Sequence, residues 1–295
     1  MSDPAHDRAV RPHGGFAYTR QRASHGVRWL VQSYAMFRRH RLAWIGLLFG
    51  YYSALVIVEV VPLVGVFLGP MVKPVLSVGF LAAAWSQERG GKPAFPMLFR
   101  GFRTNVAALL PLGLVFMVGI SLALAATALI DGGQLLDLLY GRTPSADEAP
   151  AVAAQGFAQT LANPRVQLAM VFGALCAAPT ILALWWAPAL VVFQDARFSA
   201  ALRGSLRAAL ANWRAVAIYA IAVFVLGAVM PALLTVLLAV LLPTPLNATV
   251  TALVVLPYVA FFVATLHISD YVSYRDVFHA ESPPGSAPPT SGLQR

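Results

Sequence analysis

The sequence predicts an all-α polytopic membrane protein, a bundle of about six transmembrane helices with amphipathic interfacial helices. Three observations lead there. The 295 residues are 59% hydrophobic and 11% charged, against roughly 25% charged in soluble domains. Mean hydropathy is +0.70. The apolar residues gather in long runs, several reaching the roughly 17–25 residues that cross a ~30 Å hydrocarbon core as a helix, and no alternating strand pattern appears. Ordinary soluble, disordered and collagen-like chains are excluded. A net charge of +9 would suggest nucleic acid in a soluble chain. In so apolar a chain it marks the cytoplasmic side of a membrane protein, and no nucleic-acid partner is expected.

Residues 1–26 are polar and are expected to be a disordered cytoplasmic N-terminus. Their start, MSDPAHDRAVRPHGG, lacks the apolar core of a signal peptide, so insertion is expected to use an uncleaved first span. A transmembrane domain is expected over 27–278. It opens with an amphipathic stretch, 27–41, that places Val27, Leu30, Val31, Tyr34 and Phe37 on one helical face. Spans follow at about 42–69, 71–85, 106–130, 166–193, 215–242 and 250–268. The 131–165 connector is long, and its stretches 134–140 and 151–161 could form short helices on the outer surface. Before the fifth span, 197–214 places Phe198, Leu202, Leu206, Ala209 and Trp213 on one stripe and clusters Arg203, Arg207 and Arg214 on another. Such a helix either packs on the bundle or lies at the headgroup level, with Trp213 at the interface and the arginines toward anionic lipid. The tail, 279–295, is rich in Pro, Ser and Gly and is expected to be disordered.

Charge sets the orientation. With the N-terminus inside, 18 of the 21 Lys and Arg fall on cytoplasmic segments, so both termini are expected in the cytoplasm of a bacterium. A weak repeat is visible too. A basic-aromatic stretch leads into a long span at Phe37–Trp44, Phe99–Val106 and Leu206–Trp213, with Asn105 and Asn212 each five residues after an arginine. The pattern suggests three units of interfacial helix plus hairpin, or only the usual entry of helices from a basic side.

Few residues could carry chemistry. Glu59, in LVIVEVVPLVG, is the only carboxylate inside an apolar run. It must face a cavity, find a partner or lose its charge, or it caps the span near the outer headgroups, about 26 Å from Leu42. Lys73 is its candidate partner. Pro62, Pro70 and Pro74 break the connection between them, which allows a broken or re-entrant segment. Gly46, Gly50 and Ala54 form a small-residue face suited to helix packing, within the monomer or in a dimer. His267 and Asp270 share a helix face at the inner end of span six, where an interfacial hydrogen bond is favoured over a metal or catalytic dyad. The lone cysteine, Cys176, excludes an internal disulfide and a multi-cysteine zinc site. Walker A, His-Glu-x-x-His, Gly-x-Ser-x-Gly and Cys-x-x-Cys motifs are absent. No catalytic residue, metal or cofactor is expected.

SAALRGSLRAALANWRAVAIYA, preceded by WWAPALVVFQD, together with the closing YVSYRDVF and the early WLVQSYAMFRRHRLAW, resembles an uncharacterised proteobacterial family of multi-pass inner-membrane proteins. The resemblance covers about 27–278. There is also a distant likeness to the membrane domain fused to some glycerophosphodiester phosphodiesterases, without the phosphodiesterase domain. It implies a six-span inner-membrane protein and transfers no activity. The expected function is non-enzymatic, an accessory or lipid-associated role. The alternative is a small-molecule transporter or channel subunit. Expected partners are the bilayer and its anionic headgroups, with other membrane proteins or a second copy as further candidates.

Overall fold

A computed structural model describes residues 16–61, 65–141 and 150–278. Every regular element among them is helical, and six helices are long and apolar enough to cross a membrane. In chain order the helices are α1 (His25–Arg39), α2 (Arg41–Glu59), α3 (Gly65–Glu88), a 3-10 helix (Phe95–Arg103), α4 (Val106–Asp131), the single turn α5 (Gln134–Leu136) and α6 (Pro150–Ala162). Then come α7 (Pro164–Trp185), α8 (Ala187–Gln194), α9 (Phe198–Ala211), α10 (Trp213–Phe224), α11 (Met230–Leu241) and α12 (Thr244–Phe278). A π segment, Asp137–Gly141, follows α5, and another, Val225–Val229, joins α10 to α11.

The long helices form three hairpins: α2 with α3, α4 with α7, and α10–α11 with α12. An amphipathic element precedes each one: α1, the 3-10 helix and α9 respectively. These three elements, α8 and the last turns of α12 meet at one end of the molecule, the basic end. Here lies the core, around Trp29, Trp44, Trp186, Phe80, Leu98 and Tyr271, all at most 2% exposed. Glycine permits the closest approaches. A Cβ on Gly101 would strike the backbone carbonyl of Val75, and one on Gly26 the backbone of Ala215 and Tyr219. Toward the opposite end the hairpins present apolar side chains outward. No residue of 225–241 is buried, as suits helices whose solvent is lipid.

Several boundaries differ from the sequence expectation. The first span ends at Glu59, and the chain turns before Gly65 rather than near Gly69. Val61 O accepts from Gly65 N there, at 2.8 Å. The amphipathic face of 27–41 is divided. Trp29, Leu30, Ser33 and Phe37 are buried, whereas Val27, Val31 and Tyr34 are exposed, because α1 packs between α10 and α12 instead of resting on them. Residues 16–24, which the sequence assigns to the N-terminal tail, cross the basic end as a strap. The expected disordered segments 1–15 and 279–295 lie outside the described residues.

Candidate functional site

The arginines of α9 depend on which face of that helix is buried. Ala201, Ser205, Ala208 and Ala209 turn inward, so small residues let the helix lie close against α7 and α8. Arg203 and Arg207 consequently project outward and are exposed. The helix breaks at Asn212, and α10 starts afresh at Trp213. Trp213 and Arg214 therefore belong to α10, off the apolar and basic stripes expected of a single helix over 197–214. Trp213 is 60% exposed, with the Arg214 guanidinium 5.5 Å above its ring, within cation–π range. All four side chains face outward at the basic end.

Glu59 and Lys73 are on α2 and α3. Glu59 is the exposed last residue of α2, and its side chain lies against Gly69, where an added Cβ would be 3.1 Å from Oε1. Lys73 is half-buried one turn along α3. The two form no ion pair; among the described residues those pairs are His25–Asp276 and Arg275–Glu88. Of the small-residue face, Gly46 is exposed with nothing within 4 Å of an added Cβ, while Gly50 receives the ring of Phe95. Ala54 is half-buried. That face packs on the 3-10 helix at Gly50.

The most extensive polar network was not foreseen. The sequence ends span six at 268, but α12 runs on to Phe278, and its last turns bond to nearly every neighbour. Tyr219 and Ser269 share a hydroxyl–hydroxyl bond of 2.6 Å. Asp270 Oδ1 accepts from Trp185 Nε1 at 3.2 Å. Tyr271 and Arg275 both donate to Glu88, and Arg275 also reaches Gln32. Ser273 accepts from Trp186, and the Tyr274 hydroxyl from Gln194. Asp276 Oδ2 lies 2.7 Å from both His25 Nδ1 and Trp29 Nε1. His267, one turn before Asp270, instead stacks on Phe80, with centroids 4.1 Å apart and 8° between planes. The expected His267–Asp270 proximity thus resolves into two environments. Among the described residues no group of three or more His, Cys, Asp or Glu could hold a metal ion.

The strap completes the basic end. Asn212 accepts from Gln21 N at 2.6 Å and donates to Thr19 O at 3.2 Å. Thr19 N donates to Val277 O and Gln21 Nε2 to Asp276 O. The strap therefore ties the start of α10 to the end of α12.

Comparison with known proteins adds one relative. A probable inner membrane protein of Burkholderia thailandensis is 29% identical over 267 residues, which cover 88% of this chain and 93% of the relative. This chain is a multi-pass inner-membrane protein. The relative's name agrees with the family that the sequence resembles, and its coverage includes most of the three hairpins. No family model matches the chain, and no solved structure matches it.

Proposed function

We propose that the protein is a non-enzymatic, lipid-associated membrane protein whose basic end faces the cytoplasm and binds anionic phospholipid headgroups. The observation that carries this reading is the outward projection of Arg203, Arg207, Arg214 and Trp213 from one end of the bundle. Each basic residue near an anionic surface contributes about 1 kcal/mol, so the three arginines together are worth on the order of a hundredfold in headgroup occupancy. Native mass spectrometry of the protein, purified gently from its own membrane, tests the proposal. Retained anionic phospholipid, lost in an R203E/R207E/R214E variant of unchanged thermal stability, is the expected result. Equal lipid retention by both proteins would remove the lipid reading. A stoichiometric protein partner without lipid would support a purely accessory role instead.

The second reading is a small-molecule transporter or channel subunit. Glu59 and Lys73 favour it, as charged side chains on apolar helices with no ion pair between them. On this reading Glu59→Gln alters flux or ligand binding in reconstituted vesicles while leaving folding intact.

A further inference from the structure

The segment 89–105 follows one span, which ends at Glu88, and precedes the next, which starts at Val106. It carries Arg89, Lys92, Arg100 and Arg103, so it stays at the bilayer surface. Its residues Phe95–Arg103 form the 3-10 helix, unusually long for that form. With three residues per turn, side chains at i and i+3 eclipse, and the sequence falls into three straight rows. Phe95, Leu98 and Gly101 make the inner row. Phe95 packs on Gly50 of α2. A Cβ on Gly79 of α3 would strike the Leu98 backbone, and one on Gly101 would strike the Val75 carbonyl. Two such close approaches hold the 3-10 helix against α3 in one rotational setting.

The other two rows are turned away from α3. One is apolar: Pro96, Phe99 and Phe102. Phe99 is 43% and Phe102 48% exposed, with ring centroids 6.5 Å apart. The other is Met97, Arg100 and Arg103, and both its arginines are exposed. An aromatic row beside a basic row suits a segment lying in the interface plane, its apolar side roughly 5–10 Å into the boundary of headgroups and acyl chains. Charge selects the occupant, because anionic phosphates above acyl chains complement arginines beside phenylalanines. The exposed residues of α9 are Ser199, Arg203, Arg207 and Leu210, with no aromatic side chain among them. That helix can meet headgroups by charge, whereas the 3-10 helix has rings to insert.

We infer that the 3-10 helix Phe95–Arg103 is a lipid-insertion element: Phe99 and Phe102 enter the leaflet at the basic end as far as the upper acyl chains, and Arg103 takes the phosphate of an anionic lipid beside them. This rests on the rows of the 3-10 helix and stands whether or not Arg203, Arg207 and Arg214 bind lipid.

Fluorescence quenching of the full chain in phosphatidylcholine–phosphatidylglycerol vesicles tests it, in a Cys176→Ala background because Cys176 is exposed. Bimane on Phe102→Cys is the probe, and Phe99→Cys is its backup. Arg22→Cys, exposed on the strap, is the water control, and Val118→Cys, 46% exposed midway along α4, is the mid-bilayer control. At Phe102→Cys, lipid spin-labelled near the headgroup should quench several-fold more than lipid labelled near the chain end, and iodide several-fold less than at Arg22→Cys. Val118→Cys should show the opposite lipid order. The Phe102→Cys pattern should persist in the R203E/R207E/R214E variant, which separates it from the α9 reading. Quenching by iodide alone would place the row in water and overturn insertion. A preference for the chain-end label would make the row an ordinary span surface and overturn the interfacial placement. Silence toward iodide and both lipids would mean that protein covers the row, and would overturn lipid as its occupant. Spin-labelled phosphatidylglycerol should quench several-fold more than spin-labelled phosphatidylcholine, and Arg103→Glu should remove that preference. Equal quenching by the two lipids with Arg103 present would overturn its part.

Discussion

Asn212 and Asn105 occupy matching places in the sequence repeat, yet the structure gives them unequal work, and replacing each by alanine measures the difference. Asn105 is exposed and caps α4 by accepting one bond from Ala108 N at 3.2 Å. Losing such a cap costs about 1 kcal/mol. Asn212 is 2% exposed and bonds to Gln21 N, Thr19 O and Ala208 O. Its removal strands two backbone groups of the strap beneath the basic end, at about 1–3 kcal/mol for each unsatisfied group. The sum is about 2–6 kcal/mol. With a shift of roughly 2–4 °C per kcal/mol for a chain of this size, Asn212→Ala should lower the thermal midpoint in detergent by about 4–24 °C, and Asn105→Ala by about 2–4 °C. Amide hydrogen exchange supplies the local readout: residues 16–21 should lose protection in Asn212→Ala and keep it in Asn105→Ala. Equal midpoints for the two variants, or an unchanged strap in Asn212→Ala, would refute the assignment of the strap to Asn212.

Other substitutions follow from the same contacts. Gly46→Ala should be neutral or raise the thermal midpoint slightly, because nothing opposes the methyl group and alanine is the better helix former by about 1 kcal/mol. Gly50→Ala should lower it, since the Phe95 ring occupies that space. Gly101→Ala should be worse than either, because its Cβ meets the Val75 carbonyl, which no rotamer change can move; failure to accumulate in the membrane is the expected outcome on an expression blot. Glu88→Gln should cost about 1 kcal/mol or less, because both partners of the Arg275–Glu88 pair are about one-third exposed, and a double-mutant cycle with Arg275→Gln in the same thermal assay should return a coupling of that size.

Much of the fold was legible because hydrocarbon imposes length and composition. Span four was expected at 166–193, and the structure covers it with Pro164–Gln194, broken at Trp186 ahead of Pro188. The end of span six was not legible by that logic. Ser269, Asp270, Ser273 and Asp276 look like a chain leaving the membrane, whereas they are the polar side of a helix buried against tryptophans that donate to it. A signal was present all the same: Ser269, Ser273 and Asp276 recur at helical spacing, i, i+4 and i+7, and all three are satisfied within the bundle. The same applies to Trp29 and His25, whose partner, Asp276, is about 250 residues away in sequence, so no local pattern could pair them. The exposure of Arg203 and Arg207 was readable because it follows from a small-residue face on one short helix, whereas Arg214 is on α10, past the break at Asn212. The absence of an ion pair between Glu59 and Lys73 was not readable, since it depends on how α2 and α3 pack on each other.

These observations divide the molecule by solvent. Its long-range side-chain hydrogen bonds concentrate at the basic end, where α12 is joined to α1, α3, α7, α8 and α10. At the opposite end the long-range side-chain bonds among the described residues are few: Asn163 to Gln134, and Tyr258 to the Leu226 carbonyl in the π segment. Inside lipid, apolar side chains gain little by leaving the bilayer for one another, so α11 can remain without a buried residue. At the basic end water is available as a competitor, and burial of Trp29, Trp44 and Trp186 is favourable in the ordinary way. The three hairpins are therefore fixed to one another by the end that meets water and held separately by the bilayer at the other.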